Sequence, residues 1–95
     1  MGHVFIVEER TRSPSAELGI SCDIAHVASG EQSAIDWIEG FGVENSEPNS
    51  WFALYRLTLD EPCSFRSGTG YDIRFFDRNG VELEDQPLTE VRHEI

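Results

Sequence analysis

The run WFALYRLTL, residues 51–59, limits the fold more than any other stretch. Trp51, Phe52 and Tyr55 stand among Leu54, Leu57 and Leu59, which is the content of a strand in the middle of a sheet, and Pro62 stops it. A central strand needs neighbours on both sides, and the chain offers several. HVFIVEERT (3–11) is β-branched and aromatic at its start, which predicts a strand buried on both faces until Glu8 and Glu9 emerge. GISCDIAHVA (19–28) alternates, with Ile20, Cys22, Ile24 and His26 on one face and Ser21, Asp23, Ala25 and Val27 on the other. YDIRFF (71–76) sets Tyr71, Ile73 and Phe75 against Asp72, Arg74 and Phe76. The turn tetrapeptide DRNG (77–80) follows, with Asn79 and Gly80 suited to φ > 0, and VELE returns as a strand. RSPSAELG (12–19) and SFRSGTG (64–70) read as loops, and the tail QPLTEVRHEI fits a strand or a short helix.

One segment has a different period. Within SGEQSAIDWIEGFGVE (29–44), Ala34, Ile35, Trp37, Ile38 and Phe41 fall on one stripe at about 100° per residue, with Asp36 and Glu39 opposite. Ser29 and Gln32 have the spacing of a capping box, Glu31 lies in the first turn where the helix dipole favours an anion, and Gly40 and Gly42 mark the end. About twelve residues at roughly 1.5 Å each give a helix of about 18 Å, enough to lie across a small sheet. The order ββαβββ therefore predicts one α+β domain over residues 1–95: a mostly antiparallel sheet of four to five strands, one helix across one face. The second face is assigned Arg56, Asp72 and Arg74, with Phe76 as a candidate, and must be polar, paired or partly sticky. Trp37 reads as core. Trp51 and Tyr55 share a strand face and read either as core or as an exposed aromatic patch.

Ninety-five residues hold a single modest core. No run approaches the roughly 20 apolar residues of a membrane span, and VFIV is too short for the apolar part of a secretory signal, so a soluble, cytoplasmic chain is expected. Cys22 and Cys63 without an export signal fit a reducing compartment.

Charge is lopsided. Eighteen acids against seven bases give −11, and every base is Arg. A phosphate backbone repels such a surface, which excludes simple nucleic-acid binding. Between Ser13 and Tyr55 lie Glu17, Asp23, Glu31, Asp36, Glu39, Glu44 and Glu47 with no Arg, a local charge of −7. Glu31, Asp36, Glu39, Glu44 and Glu47 thus form a candidate anionic strip for an Arg/Lys-rich groove, reached quickly and weakened by salt. The bland alternative is a solvated face that keeps the protein soluble.

No catalytic or metal signature competes with this strip. Cys22 and His26 lie roughly 13 Å apart at about 3.3 Å per strand residue, too far for a nucleophile and its base, so Cys22 reads as a core thiol. His3, His26 and His93 lack ligand spacing, and no metal or cofactor is expected. The acidic pairs Asp60–Glu61 and Glu84–Asp85 end strands as solvated turn residues, and Gly68, Gly70 and Gly80 are not followed by the Lys and helix of a phosphate loop.

In size, charge and fold class, this short, Lys-free, acid-faced α+β chain resembles the small phage-encoded inhibitors of bacterial defence, such as anti-CRISPR proteins. Several of these occupy basic nucleic-acid channels as DNA mimics. Toxin-neutralising immunity proteins share the profile. The resemblance implies a non-enzymatic inhibitor whose Glu31, Asp36, Glu39, Glu44 and Glu47 meet a basic, nucleic-acid-handling partner. Other expectations are an immunity protein or antitoxin blocking a basic toxin, and an assembly module pairing through the open sheet face, with the chain monomeric or homodimeric.

Overall fold

The computed structural model describes residues 2–12, 20–64 and 67–85. The loop expected over 12–19 therefore lies, beyond Arg12, outside the described residues, as does the tail over 86–95. Five strands form one antiparallel sheet in the order β2-β1-β3-β4-β5: β1 (His3–Arg12), β2 (Ile20–Ala28), β3 (Ser50–Thr58), β4 (Tyr71–Phe76) and β5 (Glu82–Leu83). The aromatic run is the middle strand. Between β2 and β3 the chain forms one helical segment over residues 31–45: α1 (Glu31–Trp37), a π-helical turn (Ile38–Gly42) and α2 (Val43–Asn45). The fold is α+β, with a single helix on an antiparallel sheet.

Directly opposed residues in a ladder point to the same face, so the register sorts the side chains. Val7 opposes Leu54 and Phe52 opposes Phe76, and these residues together with Phe5 form the buried side of the sheet. Ala34 and Ile38 of the helix are wholly buried against them, with Ala28, Ile35 and Trp37 at the margin.

The helix departs from its expected form in three ways. Its N-cap is Gly30, without a side-chain cap bond. Starting at Glu31 places Gln32 one position short of the capping-box site, and its Nε2 donates to Asp36 Oδ1 at 2.9 Å instead. The helix also runs through Gly40 and Gly42 to Asn45. Steps of four residues in an α-helix overshoot a full turn by about 40°; the wider π turn cancels that drift and keeps Ala34, Ile38 and Gly42 on the sheet. Gly42 favours the close fit, because a Cβ there would stand 3.0 Å from Phe52 Cζ and 3.1 Å from Trp37 Cζ3, and the two rings would have to give by a few tenths of an ångström. Phe41 is the third departure: placed by periodicity on the apolar stripe, it is 59% exposed.

Two face assignments are also corrected. Val7 opposes His26 but Glu8 opposes Ile24, so Ala25 is an extra residue, a β-bulge. Beyond it the alternation inverts: His26 and Ala28 point to the helix side, while Ile20, Cys22 and Ile24 point away. Cys22 is consequently exposed rather than a core thiol, and Cys63 is likewise a free, exposed thiol. Arg56, Arg74 and Phe76 stand opposite Phe5, Leu54 and Phe52 in the ladders, and Asp72 opposes Arg56, which puts all four on the helix side. The face without the helix instead receives Ile6, Tyr55, Ile73 and Phe75, the apolar half of the same alternation. Trp51 and Tyr55 are buried on that face. The β4–β5 turn closes with only Gly80 at positive φ (84°), while Asp77 Oδ1 accepts the N–H groups of Asn79 and Val81 at 2.8 and 2.9 Å.

This packing separates two residues that periodicity places together. Ile38→Ala should lower unfolding free energy by about 2–5 kcal/mol in urea titrations, whereas Phe41→Ala should change it by less than about 0.5 kcal/mol. Equal costs would contradict the observed helix orientation.

Candidate partner-binding site

The acids of the helical segment divide into two groups. Glu31, at the start of α1, pairs with Arg74 of β4, which also holds Glu82 of β5 through Nε and Nη2 at 2.9 and 2.8 Å. Beside this cluster Arg56 pairs with Asp72. These charges line a cleft of about 240 Å³ with Phe5 and Leu54 next to the helix start. Glu31 thus has a cation to answer it, contrary to the expectation of a wholly uncompensated strip. Bonding to Arg74 lowers the Glu82 carboxyl below its ordinary value, and Glu82, then Glu31, raises the Arg74 guanidinium above its own.

Asp36, Glu39, Glu44 and Glu47 are different. All are exposed, and among the described residues no arginine forms an ion pair with them. Asp36 receives only the Gln32 amide. Glu39 lies under the β4–β5 turn, where a Cβ on Gly80 would stand 3.5 Å from its Cα. Past the helix end, the Glu47 N–H donates to Glu9 Oε2 at 3.4 Å and its carbonyl accepts the Ser50 hydroxyl at 2.7 Å, which fixes the segment entering β3.

Glu9 and Asp23 extend this negative side onto the sheet. They oppose each other directly across β1 and β2, an unfavourable like-charge pair that a cation from outside would relieve. Between these acids and the helix lies an aromatic surface: the His26 ring stacks on Trp37 at 5.0 Å and 5°, and Trp37 meets the exposed Phe41 at 5.4 Å. Glu9 has no role in the sequence reading because pairing register decides it. Glu9 shares a face with Val7 two positions earlier, and that alternation was the available signal. Phe41 was hidden by the π turn, which periodicity does not reveal.

A further polar cluster is tied into the sheet. On the far face, Tyr55 Oη donates to Glu8 Oε1 at 2.9 Å, and Arg10 bonds both, its Nε reaching the same oxygen at 2.8 Å. Burial, then the bond to Glu8, pushes the Tyr55 phenol up to about 12, which keeps it protonated at neutral pH. Partial desolvation, then the Glu8 charge, pushes the Cys22 thiol up as well, and a thiol so shifted is a weaker nucleophile. Among the described residues, no group of three His, Cys, Asp or Glu side chains is arranged to hold a metal ion, and no helix is long and apolar enough to cross a membrane.

Comparison with known proteins returned no matching family model, no matching curated protein and no matching solved structure. The fold and the site define an α+β domain with a bipartite helix side: a charge-balanced cleft at the helix start, and an anionic, aromatic surface toward its end.

The balanced cleft has a pH signature. A lowered carboxyl contributes stability above its unfolded value of about 4.3 and loses it as pH falls through the folded value. A double-mutant cycle of Arg74→Ala and Glu82→Ala should give a coupling of about 0.2–1 kcal/mol at pH 7, the range of exposed pairs. That coupling should vanish under acid conditions in which Glu82 is protonated. A coupling unchanged by acid would contradict the assignment.

Proposed function

We propose that the chain is a non-enzymatic acidic inhibitor, which docks the outer side of its helix on the cationic surface of a nucleic-acid-handling protein. The observation that carries this reading is the division of charge: Arg74, Arg56 and Arg10 are engaged in pairs within the sheet, while Asp36, Glu39, Glu44 and Glu47 face outward without ion pairs among the described residues. Glu9 and Asp23 enlarge the same surface, and Trp37 and Phe41 give it an aromatic floor on which an incoming guanidinium can rest. Residues held by a helix and a strand lose little freedom on docking, which favours binding over a loose polyanion. The phage-encoded inhibitors of bacterial defence fit this description, and immunity proteins acting on basic toxins use the same complementarity.

A second reading, an assembly module that pairs with another copy, draws support from the apolar face away from the helix, where Ile6, Ile73 and Phe75 are half-buried and Ile24 is 68% exposed. Light scattering separates the two: a monomer of 10.7 kDa supports the inhibitor and a dimer supports the module.

The test of docking is capture by the immobilised protein at low salt, followed by displacement of DNA from whatever basic protein is retained. The variant Asp36→Lys, Glu39→Lys, Glu44→Lys, Glu47→Lys should weaken capture by at least about tenfold, as should moving from 0.05 to 0.5 M salt, by screening. Equal capture by the variant, or retention of acidic proteins only, would remove the proposal.

A further inference from the structure

The sheet ends in two edges of different kinds. β5 is two residues long, too short to template another strand, whereas β2 runs for nine and, among the described residues, has a neighbouring strand on one side only. An open edge of that length is a row of backbone donors and acceptors available to an incoming strand. Lys and Pro are common ways of blunting such an edge, and the β2 sequence ISCDIAHVA contains neither. Its bulge at Ala25 leaves residues 20–24 as a regular stretch.

The ladder bonds show which groups this stretch offers. The Leu59 N–H donates to the Gly2 carbonyl and the Arg12 N–H to the Asn49 carbonyl, both at 3.0 Å, so the even-numbered residues along β1 bond toward β3. Successive residues of an antiparallel strand bond to opposite sides, and the odd-numbered ones therefore bond toward β2. The Thr11 carbonyl, which accepts the Ser21 hydroxyl at 3.5 Å, agrees. Ser21 and Asp23, opposite Thr11 and Glu9, thus direct their backbone groups to β1. Ile20, Cys22 and Ile24 turn theirs outward, and their exposed side chains lie on the face away from the helix. Asp23 stands on the helix side, next to Glu9.

We propose that the outer edge of β2 accepts an extended segment of the cationic partner as an added strand, with apolar residues against Ile20, Cys22 and Ile24 and basic residues against Ser21 and Asp23. The added strand runs antiparallel, like every other pairing in the sheet. This inference rests on the reading of the helix side as a docking surface and states how the partner is held there. Because the Asp23 backbone turns to β1, its place opposite the newcomer is of the non-hydrogen-bonded kind, in which Cα atoms approach to about 4.5 Å and side chains come closest. An arginine there meets Asp23 and, one strand further in, Glu9, and so answers their like-charge opposition. A second copy of the chain fits less well, since it brings another net charge of −11 to the same edge.

The test is amide hydrogen exchange, read by NMR on the full chain with a synthetic peptide of alternating Val and Arg as long as β2. The peptide should slow exchange at Cys22 and Ile24 by at least about tenfold, while Ser21 and Asp23, bonded to β1 in the free protein, change little. In this pairing the valine N–H groups point at β2 and the arginine N–H groups point away. N-methylation of the valines should therefore abolish the protection, and N-methylation of the arginines should leave it. Cys22→Pro, which removes an outward N–H at an edge position, should abolish it as well. Peptide shifts at residues 36–47 with Cys22 and Ile24 unprotected would overturn strand addition and leave docking on the helix acids standing; no response at either place would overturn both. Protection that survives methylation of the valines, or that appears without peptide and grows with protein concentration, would also overturn the proposal.

Discussion

Gly42 lets the helix lie close against Phe52, since a Cβ there would stand 3.0 Å from the ring and require it to give by a few tenths of an ångström. Contact that close fixes the rotation of the helix about its axis, and the π turn maintains it by keeping Ala34 and Ile38 buried along the same line. With the inner side fixed, the outer side follows without further choice. Asp36, Glu39 and Glu44 are held out in water by the packing of their neighbours, on an element stiff enough to present them together.

The sheet then sorts the charges. Antiparallel register gathers Arg74, Glu31 and Glu82 at the helix start and leaves Glu9 facing Asp23 near its end. One group is ion-paired and exposed, worth little to stability yet joining the helix start to β4 and β5. The other is an unbalanced set of carboxylates beside the His26–Trp37–Phe41 stack. Self-repulsion at this second group opposes folding of the free protein and would be relieved by a cation, which is what the proposed docking requires.

Much of this was legible in the residues. The alternation of Tyr71, Ile73 and Phe75 with Asp72, Arg74 and Phe76 is read directly, as are the central place of residues 51–59 and the ββαβββ order. Which half of an alternation meets the helix is a pairwise property, however. It depends on register with a neighbouring strand, and here it puts the arginines beside the helix and the apolar residues away from it. The bulge at Ala25 is similarly invisible to a period of two, and it alone moves His26 to the helix side. Of the expected strip, Asp36, Glu39, Glu44 and Glu47 are exposed as read, Glu31 is answered by Arg74 through the fold, and Glu9 and Asp23 join only through strand pairing. Local pattern carries element type, whereas pairing decides which charges meet.

Amide chemical-shift mapping with a short arginine-rich peptide tests the central claim most directly, because it reports where a cation settles without requiring the natural partner. Shifts confined to residues 36–47 together with Glu9, Asp23 and His26, and erased at 0.5 M salt, are the predicted result, since screening acts on exposed charge over about 4–5 Å at that concentration. Shifts centred on β4 around Ile73 and Phe75, or none at low salt, would contradict it.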